Sequence, residues 1–286
     1  MPLGSEPILS CEALGHAYLE RFTALEDVSF SVGRGERVAL LGANGCGKST
    51  LLKILAGLLF PDRGSYCAFG SRVSEEALAD AGFCADFRSR VGFVFQNSDA
   101  QVFSSSVREE VAFGPLQLGL ERAEIERRIE DVMLMLGISE LAERAPYQLS
   151  AGQKKRVAIA SVLVMNPQLL LFDEPTAGLD PRTQHWLLEL IVELGQAGKT
   201  IVLATHDLDL LEWVSDRCLL FSEQHRLVAD GPTREILADD EALLGFNLIH
   251  EHSHRHGGYE HSHPHGHGHH LGDPARARRR LLAGGR

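Results

Sequence analysis

Gly42-Ala43-Asn44-Gly45-Cys46-Gly47-Lys48-Ser49-Thr50 decides the reading of this chain. It follows the apolar run Arg37-Val-Ala-Leu-Leu41 and leads into Leu51, Leu52, Ile54 and Leu55, so a buried strand, a glycine-rich loop and an apolar helix come in that order. The glycines let backbone N–H groups wrap phosphates, and the start of the helix adds partial positive charge. Lys48 has the reach for the β- and γ-phosphates of a nucleotide, and the Ser49 hydroxyl suits Mg2+. A glycine-rich turn with a chance lysine would not need that order of strand, loop and helix. Cys46 sits among the loop amides, whose dipoles are expected to lower its thiol pKa. A small side chain tolerated in a tight loop is the plainer account of it.

Two further runs, Leu169-Leu-Leu-Phe172 and Thr200-Ile-Val-Leu-Ala204, share the character of the first. Short uninterrupted apolar runs are what strands covered on both faces of a mostly parallel sheet require. The run ending at Phe172 is followed at once by Asp173 and Glu174. Beside a phosphate loop, Asp173 is placed to hold the Mg2+ shell and Glu174 to polarise an attacking water as general base. His206, two residues past Ala204, can reach the γ-phosphate and that water from a third strand end.

Working outward, residues 7–32 alternate loosely, with Leu25, Val28, Phe30 and Val32 apolar, and read as edge strands of a smaller antiparallel sheet. From Arg122 to Leu136, apolar Ile125, Ile129, Val132, Met133 and Leu136 recur at helical steps among charged residues, which is the pattern of an amphipathic helix. Residues 97–165 read as a helical insertion between the first two core strands. No internal repeat is visible, so the chain holds one such unit and not a fused pair.

The 286 residues, 44% of them apolar, support a real core and exclude disorder of the whole chain. Net charge is −11, yet residues 250–286 carry six arginines against Glu251, Glu260 and Asp273, which leaves the remainder at −14. An acidic body lacks the electrostatic footprint for nucleic acid, so no nucleic-acid partner is expected. Five scattered cysteines without a Cys-x-x-Cys pair read as reduced thiols. There is no uncharged apolar run of membrane-spanning length and no leader pattern at the N-terminus, so a cytoplasmic protein is expected. After Leu248 the composition turns to His, Gly, Ser and Arg, and residues 249–286 are expected to form a disordered tail.

Leu149-Ser150-Ala151-Gly152-Gln153, followed by Lys-Lys-Arg-Val-Ala-Ile-Ala, resembles the LSGGQ signature of ATP-binding-cassette (ABC) proteins. The resemblance extends in order over residues 7–240. Gln96, in Val-Gly-Phe-Val-Phe-Gln-Asn, resembles the Q-loop glutamine that reaches Mg2+ and water, and Asp180, in Ala-Gly-Leu-Asp, resembles the D-loop aspartate that communicates across a dimer. Tyr18 resembles the A-loop aromatic on which adenine stacks, with Phe22 nearby. The resemblance implies an α/β P-loop ATPase cassette with a RecA-like core, an antiparallel β subdomain and a helical signature subdomain, using ATP and Mg2+. It also implies a second cassette, identical or different, so that Ser150, Gly152 and Gln153 of one subunit serve the ATP held by the other. Ala151 replaces the family's usual glycine and disfavours a left-handed backbone, though its small size is expected to be tolerated.

The stretch from Gly92 through Gln96 and Phe103 to Leu120 resembles the ATPase subunits of energy-coupling-factor importers, which take up vitamins or cobalt and nickel ions, and the histidine-rich tail turns the resemblance toward the cobalt and nickel members. That family pairs two cassettes, peripheral on the cytoplasmic face of the membrane, with a transmembrane coupling protein and a substrate-binding membrane subunit. Asp99, Gln101 and Phe103 are the expected contacts for the coupling protein. Ten histidines, His250, His252, His254, His256, His261, His263, His265, His267, His269 and His270, offer imidazole ligands suited to Ni2+ or Co2+ in a store, sensor or handover site. Imidazolium does not ligate, so such binding weakens below about pH 6. Three readings remain open from sequence: a cobalt or nickel importer, a vitamin or other solute importer with a passive tail, and a soluble cassette without a membrane partner.

Overall fold

Successive side chains of the three core runs enter opposite hydrophobic cores, which is why no polar residue interrupts them. In the first run Ala39 and Leu41 face one core while Val38 and Leu40 face the other; Leu170 and Phe172 alternate in the same way with Leu169 and Leu171, and Ile201 and Leu203 with Val202 and Ala204. All twelve are at most 2% exposed. A strand buried on both faces must be apolar at every position, so the runs are continuous rather than alternating.

The computed structural model describes residues 6–246, 248–256 and 259–266, with side chains described up to 248 apart from those of 242 and 247. The chain runs β1 (Leu9–Tyr18), β2 (Phe22–Val32), β3 (Arg37–Leu41), α1 (Lys48–Leu55), β4 (Arg63–Ala68), β5 (Ser71–Arg72), α2 (Glu75–Ala79), α3 (Ala81–Arg90) and β6 (Val91–Val94). Three helices follow, α4 (Val107–Gln117), α5 (Arg122–Met135) and α6 (Ala151–Leu163). Then come β7 (Leu169–Asp173), α7 (Pro181–Gln196), β8 (Thr200–Ala204), α8 (Leu208–Val214), β9 (Arg217–Phe221) and β10 (Leu227–Pro232). Helices α9 (Thr233–Leu237) and α10 (Asp240–Gly245) lead to β11 (Ile249–His256) and β12 (Tyr259–Gly266).

The main sheet has the order β10-β9-β3-β8-β7-β6, parallel from β9 to β6 with β10 antiparallel at one edge. The N-terminal residues expected at a smaller antiparallel sheet form β1 and β2, which join β4 and β5 in the order β2-β1-β4-β5. Helices α4 to α6 lie between β6 and β7 in the chain and share a core with one face of the main sheet. Helix α5 buries Ile125, Ile129, Val132 and Met133, the stripe its sequence predicts, and stops at Leu136. Helix α6 approaches the sheet closely at Gly92 of β6, where a Cβ would lie 2.4 Å from Cγ1 of Val162. A glycine inside a strand often marks such a close approach.

Strands β11 and β12 form a sheet of their own, with His250 opposite His265, His252 opposite His263 and His254 opposite His261. The side chains of these histidines, together with His267, His269 and His270, lie outside the described residues. So do residues 267–286, and the expectation of metal ligands falls with them outside what the structure describes, as does that of a disordered tail except over residues 249–256 and 259–266, which pair as strands.

Candidate active site

The loop between β3 and α1 is kept free of a side chain at its last position by contact. A Cβ at Gly47, whose φ is +108°, would sit 2.1 Å from the carbonyl oxygen of Ala24. The residue therefore has to be glycine, and the backbone N–H groups beside it stay accessible to an anion at the start of α1. Lys48 opens that helix with its side chain only 6% exposed, and its ammonium donates to the carbonyls of Gly42 at 2.6 Å and Ala43 at 3.1 Å. Ser49 donates to Oδ1 of Asp173 at 2.8 Å, so the end of β7 presents a carboxylate beside the helix start. Hydroxyl and carboxylate oxygens together are the donor set that Mg2+ takes, and the phosphate cradle and this pair fit a Mg2+-nucleotide.

Glu174 continues β7 in a left-handed conformation, φ +41°, which is uncommon for a residue with a side chain. Its N–H donates to the carbonyl of Ala204 at the end of β8, and its carboxylate lies 2.8 Å from Nδ1 of His206. The Glu174 side chain is 10% exposed and that of His206 is 51% exposed, so the pair is anchored inside and open at its outer edge. Backbone strain retained at one buried carboxylate is a feature that recurs at reactive sites.

These groups line one cleft of about 510 Å³ whose walls include Tyr18, Phe22, Asn44, Gly45, Gly47, Lys48, Ser49, Thr50, Gln96, Glu174 and His206. The Tyr18 and Thr50 hydroxyls are 3.2 Å apart, and the Tyr18 ring is 40% exposed at the rim with Phe22 at 57%. Two aromatic faces at the mouth of a phosphate cradle suit a nucleobase.

Ser150, Gly152, Gln153 and Asp180 lie elsewhere. Ser150 is the N-cap of α6 in a reciprocal capping box: its hydroxyl accepts from the Gln153 N–H at 3.3 Å, and the Gln153 side-chain oxygen accepts from the Ser150 N–H at 3.0 Å. Asp180 caps α7, accepting from the N–H groups of Arg182 and Thr183 and from the Thr183 hydroxyl at 2.6 Å. The Thr183 bonds hold the Asp180 carboxyl below its usual pKa. Both caps are exposed. A second cleft, about 360 Å³, lies near them and is lined by Gln96, Asn97, Ser98, Asp99, Ala151, Lys154, Lys155, Ala177, Gly178 and Leu179. Gln96 borders both clefts.

The family model described as ABC transporter matches residues 25–177. This chain belongs to the ABC transporter ATPases. Cobalt and nickel import ATP-binding proteins of Rhodobacter capsulatus, CbiO and NikO, are 44% and 43% identical, covering 83% and 81% of this chain and 83% and 92% of their own lengths. The solved structure of cbiO1 from Clostridium perfringens, described as part of the ABC transporter complex cbiONQ, superposes with a TM-score of 0.72 at 37% identity, covering 85% of this chain and 96% of that one. The chain is thus an ATP-binding cassette with the family's fold, an ATPase of the kind coupled to transport. Among the described residues no helix is long and apolar enough to cross a membrane.

Against that background the cassette corrects one reading and sharpens two. The Cys46 thiol is pushed up rather than down: it is 2% exposed, and burial outweighs the nearby Lys48 ammonium and the loop amides. Ala151 is the first residue of α6 and has no positive φ, so the signature asks for no left-handed backbone there. Gln101 turns inward, donating to the carbonyls of Phe93 and Ala158 at 3.3 and 3.2 Å and accepting from the Phe95 N–H at 3.0 Å, which commits both amide N–H groups inside the cassette. Asp99 pairs with Lys154 at 2.5 Å, while Phe103 remains 68% exposed. Sequence reading also passed over Lys155, which is 1% exposed and donates to the carbonyls of Phe95 and Gln96, each at 3.0 Å. Burial pushes its pKa down to about 8, opposed by the nearby Asp173 carboxylate. The only signal available in sequence was a lysine among apolar positions of α6.

Proposed function

We propose that this chain is the ATP-hydrolysing subunit of an energy-coupling-factor importer for cobalt or nickel ions, acting as one of two cassettes at the cytoplasmic face of the membrane. The observation that carries the metal reading is its near-equal similarity, 44% and 43%, to cobalt and nickel import proteins over most of their lengths. The two values favour neither metal over the other. A transmembrane coupling protein and a substrate-binding membrane subunit complete the importer, with exposed Phe103 as a docking contact.

Within the cassette, the loop from Gly42 to Thr50 and Lys48 hold the phosphates of ATP, Tyr18 and Phe22 the adenine, and Ser49, Asp173 and Gln96 the Mg2+ with its waters. Mg2+ supplies charge neutralisation at the phosphate oxygens. Glu174 accepts a proton from the attacking water, and His206, 2.8 Å from that carboxylate, fixes its direction and faces the γ-phosphate. Ser150, the Gly152 backbone, Gln153 and Asp180 serve the nucleotide of the opposite cassette, so closure of the two cassettes over two nucleotides completes each site. The histidine-rich segment from His250 to His270 collects Ni2+ or Co2+ near the transporter and takes no part in hydrolysis.

Uptake of radiolabelled Ni2+ and Co2+ by cells carrying the intact transporter tests this reading. Uptake of either metal that is lost in Glu174→Gln supports it. Uptake indifferent to that substitution, or absent for both metals, refutes it. Removal of residues 249–286 is expected to slow uptake at low external metal and leave ATP turnover unchanged.

A further inference from the structure

Lys155 stands five positions beyond the Ser150 cap on α6, with its ammonium buried against β6 and the segment that leaves it. It donates to two consecutive carbonyls, those of Phe95 and Gln96, at 3.0 Å each. A buried ammonium is costly unless its donors are satisfied, and an apolar side chain would cover the same surface without that cost. The carbonyls are what the ammonium is for. Gln101 adds a second tie over the same stretch, joining Phe93 and Phe95 to Ala158 of α6, and the Lys154–Asp99 pair adds a third at the surface. The backbone on either side of Gln96 is therefore fastened to the signature helix, while Gln96 lines both clefts.

We propose that Lys155 is a positioning residue for ATP hydrolysis: by holding the carbonyls of Phe95 and Gln96 it fixes the direction in which the Gln96 side chain enters the nucleotide cleft, and ties that direction to the helix that begins at Ser150. Movement of the signature helix then carries Gln96 with it. Lys155 acts through the backbone of Gln96. The proposal rests on the reading of Gln96 as a group that meets Mg2+ and water.

The test is steady-state ATPase kinetics of the full chain in its assembled transporter, for Lys155→Met, Lys155→Gln, Gln96→Ala and the double variant Gln96→Ala/Lys155→Met. Methionine keeps the apolar stem and removes the donors, and glutamine keeps an amide donor. Displacing a positioned group costs turnover more than affinity, so kcat of Lys155→Met is expected to fall about ten- to a hundredfold with KM within about threefold of the parent. Lys155→Gln is expected to recover part of that loss. Because the two residues act as one unit, the double variant is expected to match Gln96→Ala within about twofold. Losses that multiply in the double variant, or a Lys155→Met enzyme with parental kcat, would overturn the proposal while leaving the Gln96 reading intact. If Gln96→Ala keeps parental kcat, the Gln96 reading and the proposal both fall. Should Lys155→Met fail to fold, the same cycle is run with Lys155→Gln, and multiplying losses there overturn the proposal equally.

Discussion

The nucleotide cleft and the exposed ridge formed by the starts of α6 and α7 are built on different principles. Groups in the cleft are mutually fixed, with Lys48 and Glu174 buried beneath an open rim: Lys48 on the loop carbonyls, Ser49 on Asp173, Glu174 on His206. Ser150 and Asp180 on the ridge satisfy the first N–H groups of their own helices and stand in solvent. A preorganised cradle works alone as a binding site. An exposed pair of helix caps does not, unless a second surface covers it. The difference teaches that one chain carries two unlike surfaces, a preorganised cleft and a ridge of exposed helix caps, and the proposed function gives the ridge a nucleotide only when a second cassette covers it.

Breaking the cradle is expected to cost far more than trimming the ridge. Glu174→Gln keeps the shape of the side chain and removes the proposed base, so kcat should fall by about 10²- to 10⁴-fold with little change in KM, read from phosphate release. Next in size is Gly47→Ala, whose Cβ meets the Ala24 carbonyl at 2.1 Å in a backbone region closed to alanine. The strain is on the order of 1–3 kcal/mol or more, and both melting temperature and nucleotide affinity should drop. On the ridge, Asp180→Ala removes the α7 cap for about 1 kcal/mol, seen as a lower denaturation midpoint with nucleotide affinity of the isolated chain unchanged. The smallest effect is expected from Ala151→Gly. Restoring the common signature residue at the first position of α6 should destabilise by no more than about 1 kcal/mol and leave kcat at the parental value, because the helix asks for no left-handed residue there. A rise in kcat would show that the signature backbone changes conformation during turnover.

The cleft was the more legible of the two regions. Continuous apolar runs gave β3, β7 and β8 at their places, and the loop and acidic pair fall at their ends because parallel strands deliver their C-terminal residues to one edge of the sheet. Strands β6 and β9 escaped such reading: one has four residues with a glycine inside it, and the other begins with Arg217 and Cys218. Ser150 and Gln153 were legible only through their resemblance to a known signature, since a capping box by itself marks any helix start. Three properties depend on tertiary contact and left little or no local trace. The left-handed backbone of Glu174 is set by its N–H bond to Ala204 on the neighbouring strand. The raised pKa of Cys46 follows from packing that its loop position does not reveal. The Lys155 tie joins residues about sixty positions apart in the chain, and an ammonium on a signature helix reads from sequence as one more solvated charge.

The claim that the ridge completes another cassette's site is tested most directly by Ser150→Arg, comparing Mg·ATP affinity of the isolated chain with ATP turnover of the assembled transporter. The account predicts parental affinity, because Ser150 does not line its own cleft, and a loss of turnover of about a hundredfold or more, because a bulky cation replaces a contact to the opposite nucleotide. Parental turnover, or an affinity loss as large as the loss of turnover, would contradict it.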